Sequence, residues 1–204
     1  MNSQPKVFLV DDDPAIRDSL SLSLETVGLI VESYSCAQEF LDAYRPEQAG
    51  CLVLDVRMPT MGGLELQTVL VAKKIRIPII FISGHGDIPT SVKAIKGGAV
   101  DFLEKPFKKE ILLARILEAL TEDARTRQGD AEKAAIKARF AHLTPREREV
   151  IALVVTGKSN KEIARQLAIS HRTVETHRAR IMEKMAANSL ASLVAMATTF
   201  GIPD

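Results

Sequence analysis

No apolar run in the 204 residues comes near the roughly 20 that a membrane-spanning helix requires, so such a helix is not expected. Cysteine is scarce. Cys36 and Cys51 show no framework spacing, which excludes a disulfide scaffold and leaves two free buried thiols in a reducing cytosol as the reading. The N-terminus, Met1-Asn2-Ser3-Gln4-Pro5-Lys6, lacks the apolar core of a secretory signal, because only Val7-Phe8-Leu9-Val10 follows. A cytoplasmic chain without a membrane partner is therefore expected. A large charge excess is also missing, since the net charge is +1, but the charge is unevenly shared. Residues 1–120 carry 13 Lys+Arg against 16 Asp+Glu, whereas residues 143–204 carry nine against six. An acidic front and a basic back point to different partners, with nucleic acid a candidate for the back. The length and 46% apolar content suffice for two cores.

The stretch that organises the front is Cys51-Leu52-Val53-Leu54-Asp55-Val56-Arg57-Met58-Pro59. A short apolar run reads as a strand buried on both faces, and its C-terminal end is where open α/β sheets place ligands. Four similar runs flank it: Lys6 to Val10 ending at Asp11-Asp12, the run from Leu29, Pro78 to Ile82 ending at Ser83, and Val100 to Leu103 ending at Lys105-Pro106. Helical spacing fills the intervals. Examples are Asp13-Pro14 as N-cap and first residue, then Ile16, Leu20 and Leu24, and later Val92, Ala94 and Ile95. A fifth helix carries Ile111, Leu112, Ile116, Leu117 and Leu120 on its apolar side. Five strands alternating with five helices predict an α/β fold, a doubly wound parallel sheet of flavodoxin-like order 2-1-3-4-5.

Asp11, Asp12, Asp55, Ser83 and Lys105 all fall at strand ends that share one edge. Three neighbouring carboxylates repel unless a cation sits among them, and oxygen-only ligands with open positions suit Mg²⁺. Lys105 offers a point charge and Ser83 a hydroxyl donor for phosphoryl oxygens. A carboxylate can itself be the nucleophile, so Asp55 is expected to accept a phosphoryl group. A phosphate-ester hydrolase of the aspartate-nucleophile kind is the rival, and Arg57 stands where its second acidic residue belongs. Taken alone, each residue has a plainer reading: a carboxylate after a strand is most often a cap, and Phe102 a core residue. Only the set is specific.

Val10-Asp11-Asp12, Asp55, Ser83-Gly84 and Lys105-Pro106 together resemble the receiver domain of two-component response regulators, over about residues 5–122. The resemblance implies that Asp55 is the phosphoacceptor, that Asp12 binds Mg²⁺ directly and Asp11 through water, and that the Arg57 main-chain carbonyl is a third ligand. It also implies that Ser83 and Lys105 hold the phosphoryl oxygens, that Lys105-Pro106 is cis, and that Phe102 is a switch residue.

Residues 123–142 are rich in Ala, Glu, Lys and Arg. They read as a helical connector with a weak point at Gly129, a flexible linker being the alternative. The last segment, 143–204, opens with Thr144 as N-cap, Pro145 at the first helical position and Glu147 completing a capping box. Short helices follow from Ser159, Ser170 and Ser189, with Ala168-Ile169-Ser170 as a tight turn. Helix, turn and helix at this spacing predict an all-α, four-helix helix-turn-helix domain. The helix after Ser170 shows His171, Arg172, Thr173, Glu175, Thr176, His177, Arg178 and Arg180 outward. An ordinary solvated helix is the alternative on charge alone.

The wording Leu143-Thr144-Pro145-Arg146-Glu147, Asn160-Lys161-Glu162-Ile163-Ala164 and Ser170 to His177 resembles the LuxR-type helix-turn-helix. The resemblance implies phosphate contacts from Lys161, Arg172, Thr173 and His177, and base-facing positions at Glu175, Thr176 and Arg178. An acidic Glu175 either accepts from cytosine or pairs with a neighbour. Helix four is the implied dimer contact. With Gly84-His85-Gly86-Asp87-Ile88-Pro89 in the front, the whole is most similar to the FixJ branch of the FixJ/NarL response regulators. The expectation is a transcriptional regulator rather than an enzyme, its only catalysis being its own phosphoryl transfer and dephosphorylation. Expected partners are a sensor histidine kinase, double-stranded DNA and a second copy when phosphorylated, with RNA polymerase a candidate.

Overall fold

The structure is a computed structural model, and it describes residues 4–84 and 88–199. His85, Gly86 and Asp87, part of the motif noted above, lie outside the described residues. The chain divides into two compact units, 1–127 and 128–204.

In the front unit the apolar runs form β1 (Lys6–Val10), β2 (Ile30–Tyr34), β3 (Gly50–Asp55), β4 (Ile79–Ser83) and β5 (Asp101–Glu104). They pair in parallel in the order β2-β1-β3-β4-β5. The connections are α1 (Pro14–Thr26), α2 (Ala37–Ala43), α3 (Gly63–Ala72) and α4 (Ile88–Lys96), and α5 (Lys109–Ala141) follows β5. Alternate residues of the central strands serve two separate cores. Phe8, Val10, Leu52, Leu54 and Phe81 meet Phe40, Leu66 and Leu70 on one face. Val7, Leu9, Val53, Ile80 and Ile82 meet Leu20, Leu24, Leu112 and Ile116 on the other. Burial on both faces is what a strand such as Cys51 to Leu54 demands.

Two helices are less buried than their apolar spacing predicts. On α4 only Ala94 is buried, and Ile88, Val92 and Ile95 are exposed. On α5 the residues against the sheet are Leu112, Ile116, Ala119 and Leu120. Ile111 and Leu117 are exposed, since each stands one residue, about 100° of helical turn, from that stripe. Cys36 is half-buried rather than buried, while Cys51 is fully enclosed and burial pushes its thiol up to about 12.

The boundary between the units falls within α5. In the back unit, residues 128–141 of that helix are joined by α6 (Pro145–Val155), α7 (Asn160–Gln166), α8 (His171–Met185) and α9 (Leu190–Thr199). Their ends follow from local chemistry. Thr144 and Glu147, and Ser159 and Glu162, form reciprocal capping boxes, and Ser170 Oγ accepts the Thr173 N–H. The core joins Ile136, Leu143, Val150, Ile151, Val154, Ile163, Val174, Ile181, Met185, Leu193 and Ala197.

Candidate functional site

The strand register assembles the front site. Val10 lies opposite Leu54, Asp55 opposite Ile82 and Ser83 opposite Glu104. Asp11, Asp55, Ser83 and Lys105 therefore stand within two residues of one another along the C-terminal edge. Asp11, Asp55 and Ser83 are buried, whereas Asp12 and the Arg57 side chain are exposed. The Lys105 ammonium donates to Asp11 Oδ2 and to Asp55 Oδ1, each at 2.7 Å. The second oxygens are engaged by main chain: Asp13 N–H to Asp11 Oδ1 at 2.9 Å, and Arg57 N–H to Asp55 Oδ2 at 2.6 Å. Arg17 ties down the site by donating to the Asp11 carbonyl.

Burial pushes the Asp55 carboxyl up, and Lys105 and the Arg57 N–H oppose that rise. Burial alone would lower the Lys105 ammonium, but its bonds to Asp11 and Asp55 outweigh this and hold it above the usual lysine range. Ser83 lies beside Lys105, whose N–H donates to the Ser83 carbonyl, and the Lys105–Pro106 bond is cis. Phe102 is half-buried, its ring 6.3 Å from Phe81. Among the described residues no three His, Cys, Asp or Glu side chains gather as a ready-made metal cage. The donor set nevertheless fits a hard cation: two buried carboxylates already flank one positive charge, and every group offered is oxygen.

In the back unit, the turn between α7 and α8 places Ala168 in the left-handed region, φ 52°. Arg172, Glu175 and Thr176 lie exposed on α8, and Lys161 is exposed on α7. His171, Arg172, Glu175, Thr176 and Ala179 line a shallow concavity.

Comparison with known proteins matches residues 7–117 to the response regulator receiver domain and residues 141–197 to the luxR family of bacterial regulatory proteins. The chain belongs to the response regulators. FixJ of Bradyrhizobium diazoefficiens is 45% identical to it over 202 residues, covering 99% of this chain and 98% of that one. Nodulation protein W of the same organism is 46% identical over 196 residues, covering 96% and 86%. Among solved structures, the response regulator StyR is similar at a TM-score of 0.90 and 46% identity, covering 97% of this chain and all of that one. Full-length FixJ from B. japonicum is similar at 0.60 and 44%, covering both chains completely.

Within this response regulator, the remaining positions on the helix-turn-helix differ in exposure. Thr173, His177 and Arg178 are half-buried. Arg178 Nη1 donates to Asn160 Oδ1 at 2.7 Å, which links α8 to the first residue of α7. The buried Nδ1 of His177 meets no hydrogen-bond partner among the described residues.

Three features escaped the sequence reading. Gly63, the first residue of α3, is a close approach: a Cβ there would lie 2.3 Å from the Asp55 carbonyl oxygen and 2.9 Å from the Phe81 ring. The Gly62-Gly63 pair shortly after a strand-end carboxylate was the available signal. Asp123 and Arg127, assigned to the connector, belong to the front unit. Asp123 is buried and accepts from Gly50 N–H at 2.9 Å and Arg127 Nε at 2.7 Å, while Arg127 also donates to the Pro46 and Gln48 carbonyls. Glu147 is more than a cap. It is 2% exposed and receives the Lys184 ammonium at 2.6 Å. Burial would raise its carboxyl, but Lys184 and the Thr144 N–H and hydroxyl prevail and hold it at about 2.

Proposed function

We propose that this response regulator takes a phosphoryl group onto Asp55 from a phosphohistidine of a sensor kinase, and that the modified front unit controls duplex-DNA binding by the back unit. The observation that carries the reading is the single Lys105 ammonium held 2.7 Å from both Asp11 and Asp55. It marks a place where negative charge is gathered and only partly counterbalanced. An Asp55 oxygen attacks phosphorus, the P–N bond breaks, and the imidazole leaves. Lys105 is within reach of the oxygen that attacks, and Ser83, at the next strand end, offers a hydroxyl to the incoming phosphoryl oxygens. The Arg57 N–H fixes the carboxylate plane. Asp11, Asp12, Asp55 and the Arg57 main-chain carbonyl would hold Mg²⁺. When bound, Mg²⁺ supplies charge neutralisation for the acidic cluster and the phosphoryl oxygens. The chain's own catalysis is confined to this transfer and to hydrolysis of the aspartyl phosphate, in which water attacks phosphorus and the Asp55 carboxylate leaves.

Phe102 packs near Phe81 on β4, the strand that ends at Ser83, so a shift of Ser83 toward a phosphoryl group can be passed to the ring. The exposed Ile88, Val92 and Ile95 of α4 supply apolar area for a second copy after that change. In the back unit Lys161, Arg172, Thr173 and His177 serve phosphates, Glu175 and Thr176 face bases, and Arg178 also holds α8 against α7 through Asn160. α9 is a second candidate contact between copies, and RNA polymerase a further partner. The reading places the protein in the cytoplasm. Among the described residues no helix is long and apolar enough to cross a membrane.

The test is treatment with acetyl phosphate and Mg²⁺ followed by acid-stable peptide mapping after borohydride trapping. The trapped product should map to Asp55 and vanish in Asp55→Asn. Trapping at another residue, or undiminished trapping in the variant, would overturn the assignment.

A further inference from the structure

Among the described residues, the carboxylate on the outer face of α8 pairs only loosely, with a neighbour on its own helix. The Glu175 side chain is 56% exposed, and His171 Nδ1, one turn earlier, stands 3.5 Å from its Oε1, too long for a firm hydrogen bond. Arg172 and Thr176 flank it in the same shallow concavity. Ser170 caps the helix, so Glu175 lies in its second turn, the part of a recognition helix that reaches base edges. A fixed negative charge there repels the phosphate backbone. The flanking Arg172 offsets part of that repulsion, and a hydrogen-bond donor met inside the groove offsets more.

The major groove offers few. Guanine shows two acceptors, N7 and O6, and thymine shows the O4 acceptor and a methyl group, so both repel a carboxylate. Adenine couples its N6 donor to the N7 acceptor beside it, an edge that fits an amide better than a carboxylate. Cytosine alone presents the N4 donor with no acceptor on its own edge.

We propose that Glu175 is a specificity-determining residue that selects a cytosine in each operator half-site, accepting from the N4 amino group. The inference rests on the DNA-binding reading above. The selection works as much by rejecting guanine and thymine as by attracting cytosine.

The experiment is selection from a duplex library with randomised half-sites, using the full chain treated with acetyl phosphate and Mg²⁺, sequenced for wild type, Glu175→Ala and Glu175→Gln. Wild type should enrich cytosine at one position per half-site, with discrimination of about 10- to 100-fold over guanine or thymine. Glu175→Ala should flatten that position and leave the others intact. Glu175→Gln should move the preference toward adenine, whose donor–acceptor edge suits an amide. An unchanged preference in both variants would overturn the proposal while leaving DNA binding standing. No enrichment and no salt-sensitive duplex binding by wild type would overturn the DNA-binding reading and this inference with it.

Discussion

Replacing Asp123 by alanine should loosen the front unit at the end of the sheet opposite Asp55. The side chain is buried and accepts two hydrogen bonds, from Gly50 N–H and from Arg127 Nε. Its loss leaves a buried N–H unpaired and a guanidinium without its counter-charge. The orphaned donor contributes about 1–3 kcal/mol and the charged bond about 1.5–3 kcal/mol. Arg127 is 29% exposed and can partly rehydrate, so the sum should settle near 2–4 kcal/mol. Both tyrosines of the chain, Tyr34 and Tyr44, lie in the front unit, and the chain has no tryptophan. Tyrosine fluorescence during urea unfolding therefore follows this unit by itself. With a slope of about 2 kcal/mol per molar, the midpoint should fall by roughly 1–2 M. Arg127→Ala should cost about as much, and the double variant distinctly less than the two combined, because each leaves the other partner stranded. A midpoint shift for Asp123→Ala below about 0.3 M, or strictly additive variants, would refute the clasp.

Two further outcomes follow from named contacts. Glu147→Gln should destabilise the back unit by about 2 kcal/mol at neutral pH, moderated because the Lys184 side chain is 34% exposed. The folded carboxyl lies at about 2 against an ordinary 4.5, so its contribution is complete above about pH 4.5 and fades as pH falls toward 2. The far-UV helical signal should show that acid sensitivity more strongly in wild type than in Glu147→Gln. Gly63→Ala would drive a Cβ to 2.3 Å from the Asp55 carbonyl, which should cost about 2–3 kcal/mol and slow labelling by acetyl phosphate. Urea midpoints and the rate of phosphoprotein formation check both effects.

The strands were legible because each apolar run stops at a polar residue, and parallel pairing then brings those stops together without further information. Asp11, Asp55, Ser83 and Lys105 met for that reason. Helix starts were legible wherever a cap carries its own signal, as at Asp13-Pro14 and at Thr144 to Glu147, because those bonds span three residues or fewer. What the sequence hid depends on contacts between distant residues. Asp123 finds Gly50 across 73 positions and Glu147 finds Lys184 across 37, and no spacing rule connects such pairs. The exposure of Ile111 and Leu117 escaped for a different reason. Helical periodicity allows more than one apolar stripe on α5, and only the sheet selects Leu112, Ile116, Ala119 and Leu120.

The central claim is that charge placed on Asp55 changes what α8 does with DNA. Its most direct measurement is the affinity of the full chain for a selected duplex, with and without acetyl phosphate and Mg²⁺, in wild type and in Asp55→Asn. The account predicts tighter binding on phosphorylation in wild type alone. Equal affinities with and without the phosphodonor in a wild-type protein shown to be phosphorylated would contradict it.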